Sequence, residues 1–313
     1  MLSDTFWQTR LAWLRYAVGW LAYAGMRSIV LLPFRWQLKL GKAFGRATRP
    51  LARSRVRVAA RNLEVCFPEM SGGERDRVLR EHFASLGAFV VEMSMGWFGS
   101  ERRIRELFRV EGAEHLQAAL ARGKGVILAT AHFTTMEIWW PALRPLCPRL
   151  TGMYKWQRNP VMNKAMYRGR GRSYDVQFAN DNVREMLRQL AANSAVIYLG
   201  DQSYAGKGSE LLPFFGEPAM TNTALARIAR ISDAAVLPFF CRRLRDDSGY
   251  VMTFGAPLDG VPSDDRSEDT RRLNRALEEQ IRLCPEQYWW IHKRFKSRPA
   301  PLPNLYAADR PAA

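Results

Sequence analysis

His132 and Glu137 are the residues whose types and spacing could do chemistry in this chain. They sit in the run T-A-H-F-T-T-M-E-I-W-W, residues 130–140. An imidazole takes up a proton near neutral pH. A carboxylate that accepts from one ring nitrogen fixes the tautomer and leaves the other nitrogen free to act as a base. On one continuous helix, five positions are about 500° of rotation, and the two side chains would diverge. Across a strand-to-helix turn they can meet. Taken alone, such a pair more often means a satisfied polar histidine near a strand end and a solvated glutamate.

The elements that must position the pair are legible on either side. Gly125-Val126-Ile127-Leu128-Ala129 is a short apolar run after a glycine, which reads as a buried parallel strand. Such a strand delivers His132 to its carboxyl end, where open α/β sheets bind ligands. Thr134 and Thr135 are N-cap types, so a helix is expected to start there and carry Glu137.

The same alternation continues along the chain. Helices are expected over 113–122, 160–167, 182–192, 221–231 and 269–283. Strands are expected over 150–154, 176–179, 195–199, 235–241 and 250–254. This pattern predicts an α/β fold, a largely parallel mixed sheet flanked by helices. Before it, Ser71 and Glu74 form a capping-box pattern at the head of a helix over 71–87. An apolar face continues from Phe83 to Phe98; it reads as core, with an acyl-chain wall as the functional alternative.

Three further places follow strands or precede helices. Arg168-Gly169-Arg170-Gly171-Arg172 sets three arginines among glycines, and arginine forks bind phosphates and carboxylates. It is not a phosphate-binding P-loop, and a solvated basic turn is its plain reading. Gly200-Asp201-Gln202 places a carboxylate and an amide at the same sheet edge as His132, with ordinary turn chemistry as the alternative. Tyr288 to Lys296 interleaves aromatics with cations, which suits a lipid headgroup layer or a core-packed helix end.

Forty-seven Lys and Arg against thirty Asp and Glu give a net charge of +17, so the surface attracts polyanions. Ten Trp and sixteen Phe favour a membrane interface over a nucleic-acid duplex, and no zinc-finger, homeodomain or RNA-recognition signature is present. Nucleic acid is therefore not an expected partner. Cys66, Cys147, Cys241 and Cys284 lie far apart with no C-x-x-C, which suits reduced thiols better than disulfides or a metal site.

Residues 16–34 are the most apolar long segment, interrupted by Arg27. A spanning helix needs around 20 mostly apolar residues, so a spanning helix and an interfacial one both remain open. Nine basic residues and no acid follow between Arg35 and Arg61. They are expected to keep the following chain on the cytoplasmic side, and their place beside an apolar segment favours lipid phosphates over a merely solvated helix face. A signal peptide cleaved near Ala22-Tyr23-Ala24 is rejected, because the apolar run resumes after Arg27. The expected division is a membrane anchor helix over 1–34, a basic and amphipathic helical region over 35–111, an α/β domain over 112–299 and a loose tail over 300–313.

Taken in order, these residues resemble the late acyltransferases of lipid A biosynthesis, the lauroyl and myristoyl type, within the lysophospholipid acyltransferase superfamily. His132 to Glu137 matches the H-x-x-x-x-[DE] element. Asn159-Pro160 through Gly169-Arg170 resembles the arginine block. Asp201-Gln202 followed by Pro213-Phe214-Phe215-Gly216 resembles the Asp-Gln block, and Val236-Leu237-Pro238 the strand ending in proline. Arg61-Asn62-Leu63 to Phe67-Pro68-Glu69 and Pro285-Glu286-Gln287-Tyr288 to Arg294-Phe295-Lys296 are also family-like. One departure is Tyr154-Lys155-Trp156-Gln157-Arg158, where relatives often carry Tyr-Arg-Pro; it bears on acceptor or acyl preference.

The resemblance implies acyl transfer from an acyl carrier protein thioester to a hydroxyl of a lipid A precursor, at the cytoplasmic face of the inner membrane. His132 would be the general base, oriented by Glu137. Arg170, Arg172, Asp201, Gln202 and Asn159 would contact substrate, and no metal or cofactor is implied. No nucleophile motif such as G-x-S-x-G is present, so direct transfer without an acyl-enzyme is expected. The rival readings are an acyltransferase acting on another glycolipid or a lysophospholipid, and a non-catalytic membrane-binding protein.

Overall fold

Strands form where short apolar runs are bounded by glycine and polar residues, and helices form between them. A computed structural model describes residues 3–179 and 181–307, with 3–15 described by backbone alone. Helices α1 (Ser3–Ile29), α2 (Phe34–Thr48), α3 (Arg53–Cys66), α4 (Gly72–Phe98) and α5 (Glu101–Arg105) come first. Strand β1 (Phe108–Glu111), α6 (Ala113–Ala121), β2 (Val126–Thr130), α7 (Trp140–Leu143), β3 (Leu150–Tyr154), α8 (Pro160–Arg170) and β4 (Val176–Ala179) follow. Then come α9 (Val183–Ala191), β5 (Ala195–Leu199), β6 (Ser209–Phe214), β7 (Glu217–Asn222), α10 (Ala224–Ser232), β8 (Ala235–Arg243), β9 (Tyr250–Phe254) and α11 (Arg266–Leu283).

Seven strands form one sheet in the order β1-β9-β8-β2-β5-β3-β4; β6 and β7 form a separate hairpin. Every pairing in the large sheet is parallel except β8 with β9. The expected α/β class with a mostly parallel sheet is therefore observed. Central β2 alternates between two cores. Ile127 and Ala129 pack into one, Val126 and Leu128 into the other, and both layers are closed by helices.

Ser71 caps α4 as its spacing predicts. Its side chain accepts from the Glu74 amide, and Glu74 accepts from the Ser71 amide at 2.8 Å. Residues Phe83 to Phe98 lie in this one long helix, and Phe83, Met95 and Trp97 are buried core.

Several expectations are corrected. No helix begins at Thr134; residues 134–138 are turns. The reason is that this backbone is claimed from outside. Phe133 bridges antiparallel to Tyr288, the Thr134 amide donates to Gln287 O at 2.8 Å, and the Trp289 amide donates to His132 O at 3.0 Å. The threonine hydroxyls cap nothing. Thr135 Oγ1 donates to Cys241 O at 2.6 Å, and Thr134 Oγ1 bonds Ser85 Oγ at 2.6 Å.

Residues 221–222 end a strand rather than start a helix, and the Arg168 to Arg170 stretch is the last turn of α8 rather than a loop. The cluster from Tyr288 to Lys296 is largely core: Trp290, Arg294 and Phe295 are buried, which removes them from any headgroup layer. Of the tail expected to be loose, Tyr306 is buried and receives the Phe295 amide at 3.1 Å, while 308–313 lie outside the described residues. Among the described residues, no helix is long and apolar enough to cross a membrane.

Candidate active site

Two adjacent strands set the site. β2 and β5 pair in parallel register with Thr130 opposite Leu199. Residues two positions beyond each therefore arrive level with one another at the carboxyl edge: His132 and Asp201. Asp201 Oδ1 lies 2.7 Å from His132 Nδ1, and Asp201 Oδ2 accepts from the His132 backbone amide at 3.1 Å. The carboxylate is sealed, 1% exposed, while the imidazole is 24% exposed. Burial alone would raise the Asp201 carboxyl. The charge and hydrogen bonds of His132 outweigh it and hold the group below its ordinary value. Tyr288 is buried, and burial followed by the Asp201 charge pushes its phenol well up.

The carboxylate that orients the imidazole is thus Asp201, and the expected contact from Glu137 is not made. The 134–138 turn, pinned by its threonines to Ser85 and Cys241, carries Glu137 towards α4 and α8 instead. There Trp97 Nε1 donates to Glu137 Oε2 at 2.9 Å and Arg170 Nε donates to the same oxygen at 3.2 Å. Arg170 Nη2 closes the second arm of the fork on Glu137 Oε1. Gly96 permits this approach, since a Cβ there would collide with the Glu137 carbonyl oxygen. Burial opposes the Arg170 charge, but the Glu137 carboxylate more than offsets it and raises the guanidinium further.

His132, Arg170, Gln202 and His292 line one cavity of ≈620 Å³. Its polar mouth carries Lys155, Gln157 and Lys296. Met136, Trp139, Trp140, Met153, Met166 and Ile197 give it an apolar wall. Sulfur-rich, aromatic walls suit a flexible hydrocarbon. The remaining two candidates lie elsewhere. Asn159 is the N-cap of α8, its Oδ1 accepting from the Val161 and Met162 amides at 3.0 and 3.1 Å. Arg172 donates to Trp97 O at 3.1 Å and Gly99 O at 3.0 Å, tying down the end of α4.

Two residues of the site escaped sequence reasoning. In the sequence Trp97 stands only on an apolar face, core or acyl-chain wall, and His292 only in an aromatic and cationic cluster. The position of His292 nine residues before the docked 301–307 segment carries no signal of its own; only the fold brings it to His132. Among the described residues, no group of three or more His, Cys, Asp or Glu side chains is placed to hold a metal ion.

The arrangement can activate a hydroxyl, hold an anionic oxygen and shelter an acyl chain. Comparison with known proteins identifies the family. Residues 6–297 match the model of the bacterial lipid A biosynthesis acyltransferase family. The chain is 34% identical over 293 residues to the lipid A biosynthesis palmitoleoyltransferase of Escherichia coli K12, covering 93% of this chain and 95% of that protein. It is 33% identical over 293 residues, with the same coverage, to the lipid A biosynthesis lauroyltransferase of the same organism. With the lipid A biosynthesis myristoyltransferase of that organism it shares 27% over 290 residues, 91% of this chain and 88% of that protein. A match over nearly the whole chain leads to one assignment: this chain belongs to the bacterial lipid A biosynthesis acyltransferase family.

Proposed function

We propose that the chain moves a fatty acyl group from an acyl carrier protein thioester to a hydroxyl of a lipid A precursor. The observation that carries this reading is the His132–Asp201 pair, whose imidazole lines a partly apolar cavity. With Nδ1 given to Asp201, the free nitrogen of His132 is Nε2. It takes the proton of the acceptor hydroxyl as that oxygen forms its bond to the thioester carbonyl carbon. The carbonyl π pair moves onto oxygen. On collapse the C=O bond re-forms, the C–S bond breaks, and the departing sulfur takes the proton from Nε2. Asp201 steadies the intervening imidazolium.

Arg170 spends Nε and Nη2 on Glu137 and also lines the cavity. Its fixed charge suits the oxyanion or an acidic group of the acceptor. The +17 charge favours an acidic carrier protein as donor.

The acceptor is a lipid, so the chain must meet a bilayer, and we place it on the cytoplasmic face of the inner membrane. Trp36, Leu40 and Phe44 recur every four residues along α2 and are all exposed. Arg35, Lys39 and Arg46 flank them, with Lys39 Nζ 5.3 Å from the Trp36 ring centroid. An exposed apolar stripe edged by cations is the pattern of a helix lying in the headgroup layer.

Mass spectrometry of lipid A from cells with and without this gene product tests the assignment. A lost acyl mass in its absence supports the reading. Unchanged lipid A, together with turnover of lysophospholipid or another glycolipid by the purified protein, replaces the acceptor.

A further inference from the structure

We propose that His292 is a second imidazole of the reaction: a neutral donor whose Nδ1–H meets the thioester carbonyl oxygen as it becomes an oxyanion. This role rests on the acyl-transfer reading above.

Three observations carry it. First, His292 and His132 line the same cavity. Second, its tautomer is set by the backbone. The Ser203 amide donates to His292 Nε2 at 3.3 Å, so Nε2 is an acceptor and the ring proton sits on Nδ1. No protein acceptor takes that Nδ1–H among the described residues, nor is Nδ1 among the polar atoms sealed away from solvent. The donor is therefore unspent and reachable. Third, the backbone that carries the ring is held. Asn62 Nδ2 donates to His292 O at 2.7 Å, and the His292 amide turns back to Trp289 O at 3.3 Å. Ser203 Oγ donates to Lys296 O at 3.0 Å, so the loop after Asp201 is stitched to this segment twice.

The surroundings keep the ring uncharged. Burial is the main cause, Lys296 adds to it, and together they push the imidazole down to about 4. His132 and Arg294 act in the same sense, and only Asp201 opposes them. A neutral imidazole fits the task. It does not compete with His132 for the acceptor proton, and it keeps its own Nδ1 proton throughout, so it stabilises charge without transferring anything. Attack still forms the C–O bond and sends the proton to His132 Nε2, and collapse still breaks the C–S bond as the sulfur takes that proton. His292 acts only on the oxygen that gains the electron pair.

The test uses the purified full chain in mixed micelles, with an acyl carrier protein thioester and a lipid A precursor. His292→Ala should lower kcat by roughly 10²–10³-fold, the usual loss for one oxyanion donor, with KM for the thioester little changed. His292→Gln should recover a large part of that loss, because Gln can accept from the Ser203 amide and still present an N–H. Thermal unfolding of both variants is measured alongside, so that a folding defect is seen as such.

The proposal is overturned if His292→Ala keeps wild-type kcat, if its loss appears only in KM, or if His292→Gln is as slow as His292→Ala while both are folded. Full activity of His132→Ala would instead bring down the site reading itself. Failure of the wild type to use any thioester donor would bring down the proposed function and this role with it.

Discussion

Asp201 grips His132 at two points, the ring Nδ1 at 2.7 Å and the backbone amide at 3.1 Å. Glu137, far nearer in the chain, grips Arg170 instead. The two carboxylates therefore have separate duties, and their variants should fail differently. Asp201→Asn leaves the shape but loses the charge that selects the tautomer and steadies the imidazolium. It should lower kcat by roughly 10⁴-fold with KM little changed, the size seen when a triad aspartate is neutralised. Glu137→Gln should leave a buried arginine short of its counter-charge and destabilise the fold by about 3–5 kcal/mol. Steady-state kinetics and urea unfolding of both variants check this. Matching kinetic and stability signatures in the two would refute the division.

The stripe along α2 predicts how the protein holds to a bilayer. Each exposed apolar side chain that becomes buried contributes about 1.5–3 kcal/mol. Trp36→Ala combined with Phe44→Ala should therefore cut binding to vesicles containing anionic lipid by about 100-fold or more. High salt should weaken what remains, because Arg35, Lys39 and Arg46 act through the surface potential. Vesicle flotation measures both. Binding of the double variant equal to wild type would show that another surface makes the contact.

Acid should loosen the fold before it protonates Asp201. His82 is fully buried, its Nδ1 lies 3.3 Å from Glu286 O, and Nε2 has no partner; burial pushes it down to about 4. Between there and the ordinary histidine value of about 6.5, the unfolded chain binds the proton that the folded chain refuses. Stability is thus complete above about 6.5 and is lost as pH falls towards about 4, by on the order of 3 kcal/mol for this residue. His292 moves in the same direction. Asp201 adds its own loss only below the ordinary aspartate value. Urea midpoints at neutral and acid pH measure the slope. His82→Leu should flatten it, and an unchanged slope in that variant would exclude His82 as its source.

Much of the sheet was legible because buried strands of this kind are short apolar runs with hard edges. Leu150–Tyr154, Val176–Ala179, Ala195–Leu199 and Tyr250–Phe254 begin and end where composition alone places them. The hairpin of β6 and β7 was not seen, and its turn explains why. Phe214 pairs with Glu217 around the two residues Phe215 and Gly216, both with positive φ, 52° and 79°. That geometry usually announces itself by Asn-Gly or Asp-Gly, and a phenylalanine in the left-handed region hides it.

The site was legible in its residue types but not in its pairings. His132, Arg170, Asp201 and Gln202 were found from their places at strand and helix ends. Which carboxylate meets the imidazole depends on strand order: β5 lies beside β2, and no local spacing states that. The helix expected at Thr134 failed for a related reason, since its amide is taken by residue 287, from the far end of the chain.

That last bond has a bearing on how the enzyme comes into being. The loop bearing His132 leans on a strip of backbone made after every strand of the sheet, through Phe133 against Tyr288 and the Trp289 amide on the His132 carbonyl. A nascent chain halted before that strip holds every strand of the sheet and still lacks a finished site. Loss of the Tyr288–Trp289 strip should therefore silence the enzyme as surely as loss of its imidazole.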